Sequence, residues 1–405
     1  MTSPVAIIGA GPAGLMAAET VAATGRPVVV YDRMPSPGRK FLMAGRGGLN
    51  LTHSEPHERF VARYGPAEAR LRPAFDGFGP DALRAWAAGL GESTVVGSSG
   101  RVFPASWKAS PLLRAWLRRL EGQGVRFVFR HRWVGFRQNG ALRFETPEGP
   151  AETAPAATIL ALGGGSWPRL GSDGAWAPIL AAAGIVVAPL RPANGGVLVA
   201  WSDHLRERFA GAPLKRIAIS IGEEVRRGEA IVTAGGLEGG AIYAVSSPIR
   251  AVLDRDGHAA LRIDLRPDLA LDDLAIRLSA PRGKQSASTF LRKAAGLSPV
   301  AIALMREEGR VLPAEPAAVA ALVKAVPVTA MGHAGIDRAI STAGGVAWPD
   351  IDETWMLRAR PGTFVAGEML DWEAPTGGYL LQACMATGRA AGVGAMAWLG
   401  RQSGD

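Results

Sequence analysis

The chain opens on a wholly apolar run, Val5-Ala6-Ile7-Ile8, that ends in Gly9. Apolar residues then recur at helical spacing from Pro12 to about Ala23, a turn falls at Gly25, and a second apolar run covers Pro27 to Tyr31. Short continuous apolar runs suit strands buried on both faces, so this opening stretch predicts a strand, a helix and a second, parallel strand. Further on, Pro111 to Gly122 reads as a helix, while Val125 to Arg130 and Ala157 to Leu162 read as strands, the last running into Gly163 to Gly165. From about Leu190 the texture changes. Gly196 to Ala200, Arg216 to Ile221 and Ala230 to Thr233 are short strand-like segments divided by glycines and charges, which predicts an antiparallel barrel or sheet. A helical portion over about 271–326 follows, where Leu274, Leu278, Phe290, Leu291, Ala301, Leu304, Val319 and Leu322 recur near helical spacing. The run from Gly362 to Gly367 then reads as one more core strand, and Tyr379 to Trp398 as a closing helix. The pattern predicts an α/β fold whose nucleotide domain, 1–190 with 335–405, is interrupted by an inserted, β-rich domain at 191–334.

Composition narrows the class. A chain of 405 residues exceeds what one hydrophobic core usually serves, which also favours two domains. With 48% hydrophobic and 20% charged residues, and no long uncharged apolar run outside the glycine motif, a soluble protein with no membrane partner is expected. The segment Val5 to Ala18 lacks a preceding basic residue and is broken by Gly9, Gly11, Pro12 and Gly14, so it reads as folded structure of a cytoplasmic protein and not as a signal peptide. Cys384 is the single cysteine, which rules out an intramolecular disulfide or a Cys-X-X-Cys pair, and no metal-ligand constellation is evident. Any redox chemistry therefore needs a cofactor.

Gly9-Ala10-Gly11-Pro12-Ala13-Gly14 fits Gly-X-Gly-X-X-Gly in the context this motif requires, between a strand and a helix. The first glycine permits the tight turn, the second lets a pyrophosphate approach the backbone, and the third lets helix and strand pack closely. The N–H groups of the helix terminus then face the phosphates. Asp32, at the end of the second strand, is placed to accept hydrogen bonds from a ribose diol. This unit alone does not choose between NAD and FAD.

The rest of the chain resembles a known family. Asp32-Arg33 through Gly38-Arg39-Lys40-Phe41-Leu42, then Gly45-Arg46-Gly47-Gly48-Leu49-Asn50-Leu51-Thr52, are similar to flavin segments of the BaiN/RdsA-type NAD(P)/FAD-dependent oxidoreductases, the aminoacetone-oxidase-like flavoproteins. Leu160-Ala161-Leu162-Gly163-Gly164-Gly165-Ser166, Gly171-Ser172-Asp173-Gly174 and Gly236-Leu237-Glu238-Gly239 extend the likeness. So do Ala366-Gly367-Glu368-Met369-Leu370-Asp371 and Thr376-Gly377-Gly378-Tyr379-Leu380-Leu381-Gln382. The resemblance implies a two-part, Rossmann-like, glutathione-reductase-like FAD domain interrupted by a β-barrel-like domain with a helical subdomain. It implies that Gly9, Gly11, Gly14 and Asp32 hold the AMP half of FAD, with Pro12, Ala13 and Arg33 also at the cofactor, Arg39 and Lys40 along the ribose and pyrophosphate, and Trp133 meeting adenine through its backbone. Gly47, Gly48, Asn50, Ala161 and Gly163 would line the cofactor, and Gly367 and Glu368 would bind the pyrophosphate and ribityl chain. Gly377, Gly378 and Tyr379 would bring N–H groups to the flavin pyrimidine, where donors stabilise charge on a reduced ring. Two positions depart from the family: Leu380, where members often carry Asn after Gly-Gly-Tyr, and Leu49-Asn50, where they often carry Cys-Asn.

Arg46, His53 and Tyr379 are the candidates for catalytic roles, and each also suits cofactor binding or packing. Cys384, in the apolar closing helix, reads as a packing residue. With no second glycine motif followed by an acid, NAD(P)H would visit the flavin transiently. The expected activity is hydride transfer between NAD(P)H, flavin and an organic substrate, including reduction of an activated C=C bond. An amine or aminoketone oxidase using oxygen, and a non-catalytic flavin-bound RNA-binding or redox-sensing protein, are the alternatives. The net charge of +9 bears on RNA, because Arg101 to Arg143 holds ten basic residues and one acid, Glu121, and so accounts for the whole surplus. Trp107, Trp116, Phe127, Phe129 and Trp133 interleave with those cations as in an RNA surface, and equally suit a core against which arginine stems pack. The substrate is expected to be a small molecule or RNA, and the oligomeric state is open.

Overall fold

The structure is a computed structural model and describes residues 3–402. The chain forms two compact units, one from 3–191 and 341–402, the other Pro192–Ile340, each around its own apolar core.

The first unit is built on a five-stranded sheet. Its strands are β1 (Val5–Ile8), β2 (Val28–Asp32), β3 (Arg126–Phe129), β4 (Ala157–Leu160) and β5 (Thr363–Val365), in the spatial order β5-β4-β1-β2-β3. All neighbours are parallel, with Val5 beside Val28 and Ala157, Val29 beside Arg126, and Thr158 beside Thr363. The central strands are buried on both faces, which is why they read as unbroken apolar runs. The helix α1 (Pro12–Ala22) follows β1, and α2 (Arg39–Ala44) follows β2. Between β2 and β3 lies α3 (Ala109–Gly122), whose Leu112, Leu113, Trp116 and Leu120 are buried while Arg114 and Arg118 face solvent. The last helix, α4 (Tyr379–Gln402), lies along α1. Small residues allow that approach: a Cβ at Gly388 would sit 2.9 Å from Ala13 Cα, and one at Gly392 would sit 2.9 Å from Thr20 Cβ.

A small antiparallel sheet of Arg132–Phe136, Leu142–Thr146 and Gly149–Thr153 stands beside β2, with Tyr31 stacked on Phe144 at 4.6 Å. A second three-stranded sheet holds Thr52–His53, Thr94–Val96 and Arg101–Pro104.

The second unit carries seven antiparallel strands. The two edge strands, Val326–Ala330 and Gly332–His333, are separated in sequence by Met331 alone. A sheet whose edges are one residue apart has to curl on itself, which gives the barrel-like form. The helices Leu271–Leu278, Ala287–Ala294, Pro299–Leu304 and Pro316–Lys324 make up its helical portion. Ser286 and Ser298 cap the second and third by accepting the N–H groups of Thr289 and Ala301. Among the described residues no helix is long and apolar enough to cross a membrane.

Candidate functional site

The β1–α1 turn has the form needed to receive a diphosphate. Gly9 has φ +107°, a left-handed value that a side chain rarely adopts, and donates its N–H to the Tyr31 carbonyl at 2.8 Å. A Cβ at Gly14 would collide with the Gly9 carbonyl oxygen, so the helix can leave the turn this closely only without a side chain there. Gly11 is different: nothing lies within 4 Å of where its Cβ would be, so its backbone faces open space. With Pro12 at its first position, α1 has no side-chain cap and no acid in its first turn, which leaves the amides of the first turn, Ala13 and Gly14 among them, available to an anion.

Asp32 closes the other side of the turn. Its Oδ2 accepts the Ala10 N–H at 2.7 Å and its Oδ1 accepts the Met34 N–H at 2.7 Å. Burial pushes its pKa above the ordinary aspartate range, and these hydrogen bonds with the charges of Arg33 and Arg39 offset only part of that. Each carboxylate oxygen keeps a lone pair for a ribose hydroxyl. Just beyond it, His131 donates its N–H to the Asp32 carbonyl at 3.0 Å, which brings Trp133 to the same end of β2.

Three segments that the resemblance assigns to the cofactor carry four buried polar atoms without a hydrogen-bond partner: Arg39 Nε, Asn50 Oδ1 with Thr52 Oγ1, and Trp133 Nε1. Buried polar atoms are nearly always satisfied, so orphans in the very segments that the resemblance assigns to the cofactor fit a polar ligand. A dinucleotide is such a ligand. Gly47 also faces open space, and Gly48 lies against the Trp107 ring. The residues therefore fit FAD.

The two ends of the chain meet at this bed. A Cβ at Gly378 would sit 2.6 Å from Thr52 Cα, so the Gly377–Gly378 turn abuts the backbone of the Asn50–Thr52 segment. Gly367 packs against Ala13, where a Cβ would come within 2.7 Å of that residue's own Cβ. Its N–H goes to Thr387 Oγ1 at 2.9 Å and its carbonyl accepts Trp372 Nε1–H at 2.9 Å. Ala161 donates to the Ile8 carbonyl at 2.8 Å, and the Gly163 carbonyl accepts from Trp176 Nε1 at 2.9 Å.

Glu368 is buried and fully engaged. It accepts Thr342 N–H at 2.9 Å and Gly164 N–H at 3.4 Å, and pairs with Lys40 Nζ at 2.8 Å. Lys40 also reaches Ser166 Oγ at 3.1 Å and Ser172 Oγ at 3.4 Å. These two motif residues thus hold each other, and with them the distant stretches 164–172 and Thr342. Arg33 turns to Asp173 and the Pro168 carbonyl, while Arg39 donates to Ser36 Oγ at 3.3 Å. The partners Thr342, Ser166 and Ser172 carry no signal in the sequence beyond their place near glycine motifs.

Around Tyr379 lies a network that no spacing announces. Its hydroxyl donates to Glu55, which Arg63 grips from the other side at 2.8 and 3.1 Å. The Tyr379 ring stacks on His53 at 5.5 Å and lies 5.0 Å from Phe60, and its carbonyl accepts the buried Tyr64 hydroxyl at 2.8 Å. Burial, then the hydrogen bond to Glu55 and its charge, raise the Tyr379 pKa well above the ordinary tyrosine value. Burial would raise the Glu55 carboxyl, but the hydrogen bonds from Arg63 and Tyr379 and the Arg63 charge together hold it below the ordinary range. His53 accepts the Glu55 N–H at Nδ1, 3.1 Å, and faces the Ser99 carbonyl through Nε2 at 2.9 Å, the pattern of a neutral Nε2–H ring. Arg46 is exposed and its side chain has no partner among the described residues; the same holds for Arg101, whose Nε would lie 3.9 Å from a Cβ at Gly377. Neither Glu55, Arg63 nor Arg101 is marked by any motif.

A parallel sheet with a glycine turn at the C-terminal end of β1, an acid ending β2 and a glycine turn returning from the far end of the chain define a dinucleotide-binding fold of the Rossmann type. The family model for the HI0933-like protein Rossmann domain matches residues 3–394, and the chain belongs to that family, the BaiN/RdsA-type FAD-dependent flavoproteins. It is 26% identical over 408 residues to a 3-dehydro-bile acid delta(4,6)-reductase of Clostridium scindens, covering 96% of this chain and 98% of the relative. Among solved structures it is similar to 3-ketosteroid delta1-dehydrogenase from Sterolibacterium denitrificans, with a TM-score of 0.54 and 12% identity over 98% of this chain and 99% of that one. It is also similar to 3-ketosteroid-delta4-(5alpha)-dehydrogenase from Rhodococcus jostii RHA1, with a TM-score of 0.51 and 17% identity over 97% of this chain and 96% of that one. At these identities the structures speak for the fold.

Proposed function

We propose that this protein is an NAD(P)H-linked, FAD-dependent reductase of an activated C=C bond in a small apolar ketone. The observation that carries this reading is the likeness, over nearly all of both chains, to a reductase that acts on a steroid. The flavin would supply the hydride chemistry, taking a hydride from the nicotinamide and passing it to the electron-poor carbon. Gly11, Ala13 and Gly14 would hold the pyrophosphate through backbone N–H groups, Asp32 the ribose, and Gly377–Gly378 the pyrimidine edge. Asn50 and Thr52, with their unpaired oxygens, would meet the cofactor beside that turn.

As hydride arrives at one carbon of an enone, negative charge develops at the carbonyl oxygen and the other carbon takes a proton, supplied by solvent. Arg101 is the unpaired cation beside Gly377 and would stabilise that charge. Tyr379, bound to Glu55, would set the position of the glycine turn. The test is anaerobic stopped-flow absorbance. Purified protein should be yellow, NADH or NADPH should bleach it, and a 3-oxo-4-ene steroid should restore the colour. Protein that stays colourless after reconstitution with FAD, or that is bleached by an amine and not by a pyridine nucleotide, overturns the proposal.

A further inference from the structure

One surface feature is not used by the cofactor bed. Trp107 is 49% exposed, an unusual fraction for the largest apolar side chain, and it sits at φ +61°, a left-handed value that is an outlier for a bulky residue. Strain of this kind persists only where the surroundings impose it. Here Trp107 donates its N–H to the Pro104 carbonyl at 2.8 Å and its own carbonyl accepts the Leu49 N–H at 3.1 Å, so the backbone is pinned from both sides. Its ring stacks on Phe103 at 4.4 Å and 21°, and Val95, cross-strand to Phe103, is also exposed. The result is an aromatic shelf with solvent on it.

The shelf adjoins the flavin loop. Gly48 faces the Trp107 ring, where a Cβ would come within 2.9 Å, and Gly45 packs against Ala109. Arg46 lies in that loop and Lys108 follows Trp107, both exposed and both without a side-chain partner among the described residues. The nearby acid, Glu92, accepts the Ser106 N–H at 3.0 Å. A base stacks on an exposed indole, and phosphates are held by free cations beside it.

We infer that the Trp107–Phe103 shelf, with Arg46 and Lys108, docks the ADP-ribose half of the reducing pyridine nucleotide. The adenine stacks on Trp107, the phosphates lie against the two cations, and the nicotinamide is led toward the Gly47–Gly48 loop. This rests on the NAD(P)H-linked reading above and supplies the docking place that reading lacks. It also suits a transient visitor, because the site is open and most of its affinity comes from one stack and two surface charges.

The test uses FAD-loaded full-length protein, with ADP-ribose and 2′,5′-ADP titrated by calorimetry and by quenching of tryptophan fluorescence. Wild type is expected to bind one or both. W107A is expected to weaken binding by about five-fold or more, W107F to restore most of it, and R46A/K108A to weaken binding and flatten its salt dependence. In stopped flow W107A and K108A should raise the apparent Kd for NAD(P)H and leave the limiting rate of flavin reduction unchanged. W107A or R46A/K108A protein that binds as wild type overturns the inference, as does a single-stranded oligoadenylate that occupies the shelf when ADP-ribose does not. If no pyridine nucleotide reduces the flavin, the reductase reading fails. The ADP-ribose titration still decides the shelf: quenching that depends on Trp107 keeps it as an adenine-nucleotide site, and no binding removes it.

Discussion

Lys40 and Glu368 offer the sharpest test of how this unit is held together. Glu368 Oε2 is 2.8 Å from Lys40 Nζ, with the glutamate side chain 6% and the lysine side chain 23% exposed. Changing Glu368 to Ala leaves the N–H groups of Thr342 and Gly164 and the Lys40 ammonium without their acceptor. Removing one member of a buried ion pair costs about 3–5 kcal/mol, and the orphaned amides belong to the same loss. K40M should cost less, roughly 1–3 kcal/mol, because Glu368 retains both backbone donors. The double variant should therefore be less destabilised than the sum of the two, with a coupling of roughly 0.5–3 kcal/mol. The assay is urea unfolding of FAD-free protein followed by tryptophan fluorescence, with the transition of this unit fitted separately from that of Pro192–Ile340. Additivity within about 0.3 kcal/mol would refute the brace. E368Q adds a second discrimination: if it leaves the FAD-free protein as stable as wild type but weakens FAD, Glu368 is a cofactor ligand first and a brace second.

Three further outcomes follow from the same geometry. Gly14→Ala forces a methyl group into the Gly9 carbonyl and to 3.3 Å from Ile7 Cγ2, so a loss of about 1–3 kcal/mol and FAD affinity at least about ten-fold weaker by fluorescence titration are expected; wild-type values for both would contradict the turn geometry. The folded-state pKa of Glu55 lies below its unfolded value, so its contribution to stability is complete above the ordinary glutamate range and lost as the pH falls through the folded value. E55Q should thus be less stable than wild type near pH 7, and the gap should close below about pH 4; a gap constant with pH would count against the Arg63–Glu55–Tyr379 network. Asp32, with its pKa raised, takes up a proton at a higher pH than a free aspartate, so the Kd for FAD should rise on acidification, beginning above about pH 4. D32N should bind FAD more weakly at neutral pH and lose that dependence, and a D32N titration that still follows the wild-type pH curve would remove Asp32 from the site.

The opening of the fold was legible because its strands are buried on both faces: Val5–Ile8 and Val28–Asp32 can be read only as core, and Pro12–Ala22 begins on the proline that suits a first helical turn. The stretch 57–90 shows the opposite. It forms the helices His57–Ala62, Glu68–Gly77 and Pro80–Ala88, but Pro73 lies inside the second, charged residues crowd the first two, and the third is only nine residues long with Leu83 and Ala87 as its buried positions, so the stretch offers little apolar pattern to read. The glycine motifs are legible as motifs, because each glycine answers a local steric demand. The partners of the polar residues are not. Tyr379 meets Glu55 from 324 residues away and Lys40 meets Glu368 from 328, and a sequence carries no local trace of a contact that only the folded sheet creates. For the same reason Arg33, a cofactor candidate by position, is seen with Asp173.

The edge strand β5 and the glycine turn at Gly377–Gly378 come from the last portion of the chain, yet β5 covers the flank of β4 and the turn closes on Thr52. During synthesis, β4 must therefore wait with an unpaired edge until the entire Pro192–Ile340 unit and then Thr363–Val365 have left the ribosome. Until that moment the nascent protein has its first glycine turn but only half of its cofactor bed. A chain cut short before Gly377 is therefore expected to lack one wall of the proposed cofactor bed, and one cut before Thr363 to present a bare sheet edge to chaperones and proteases.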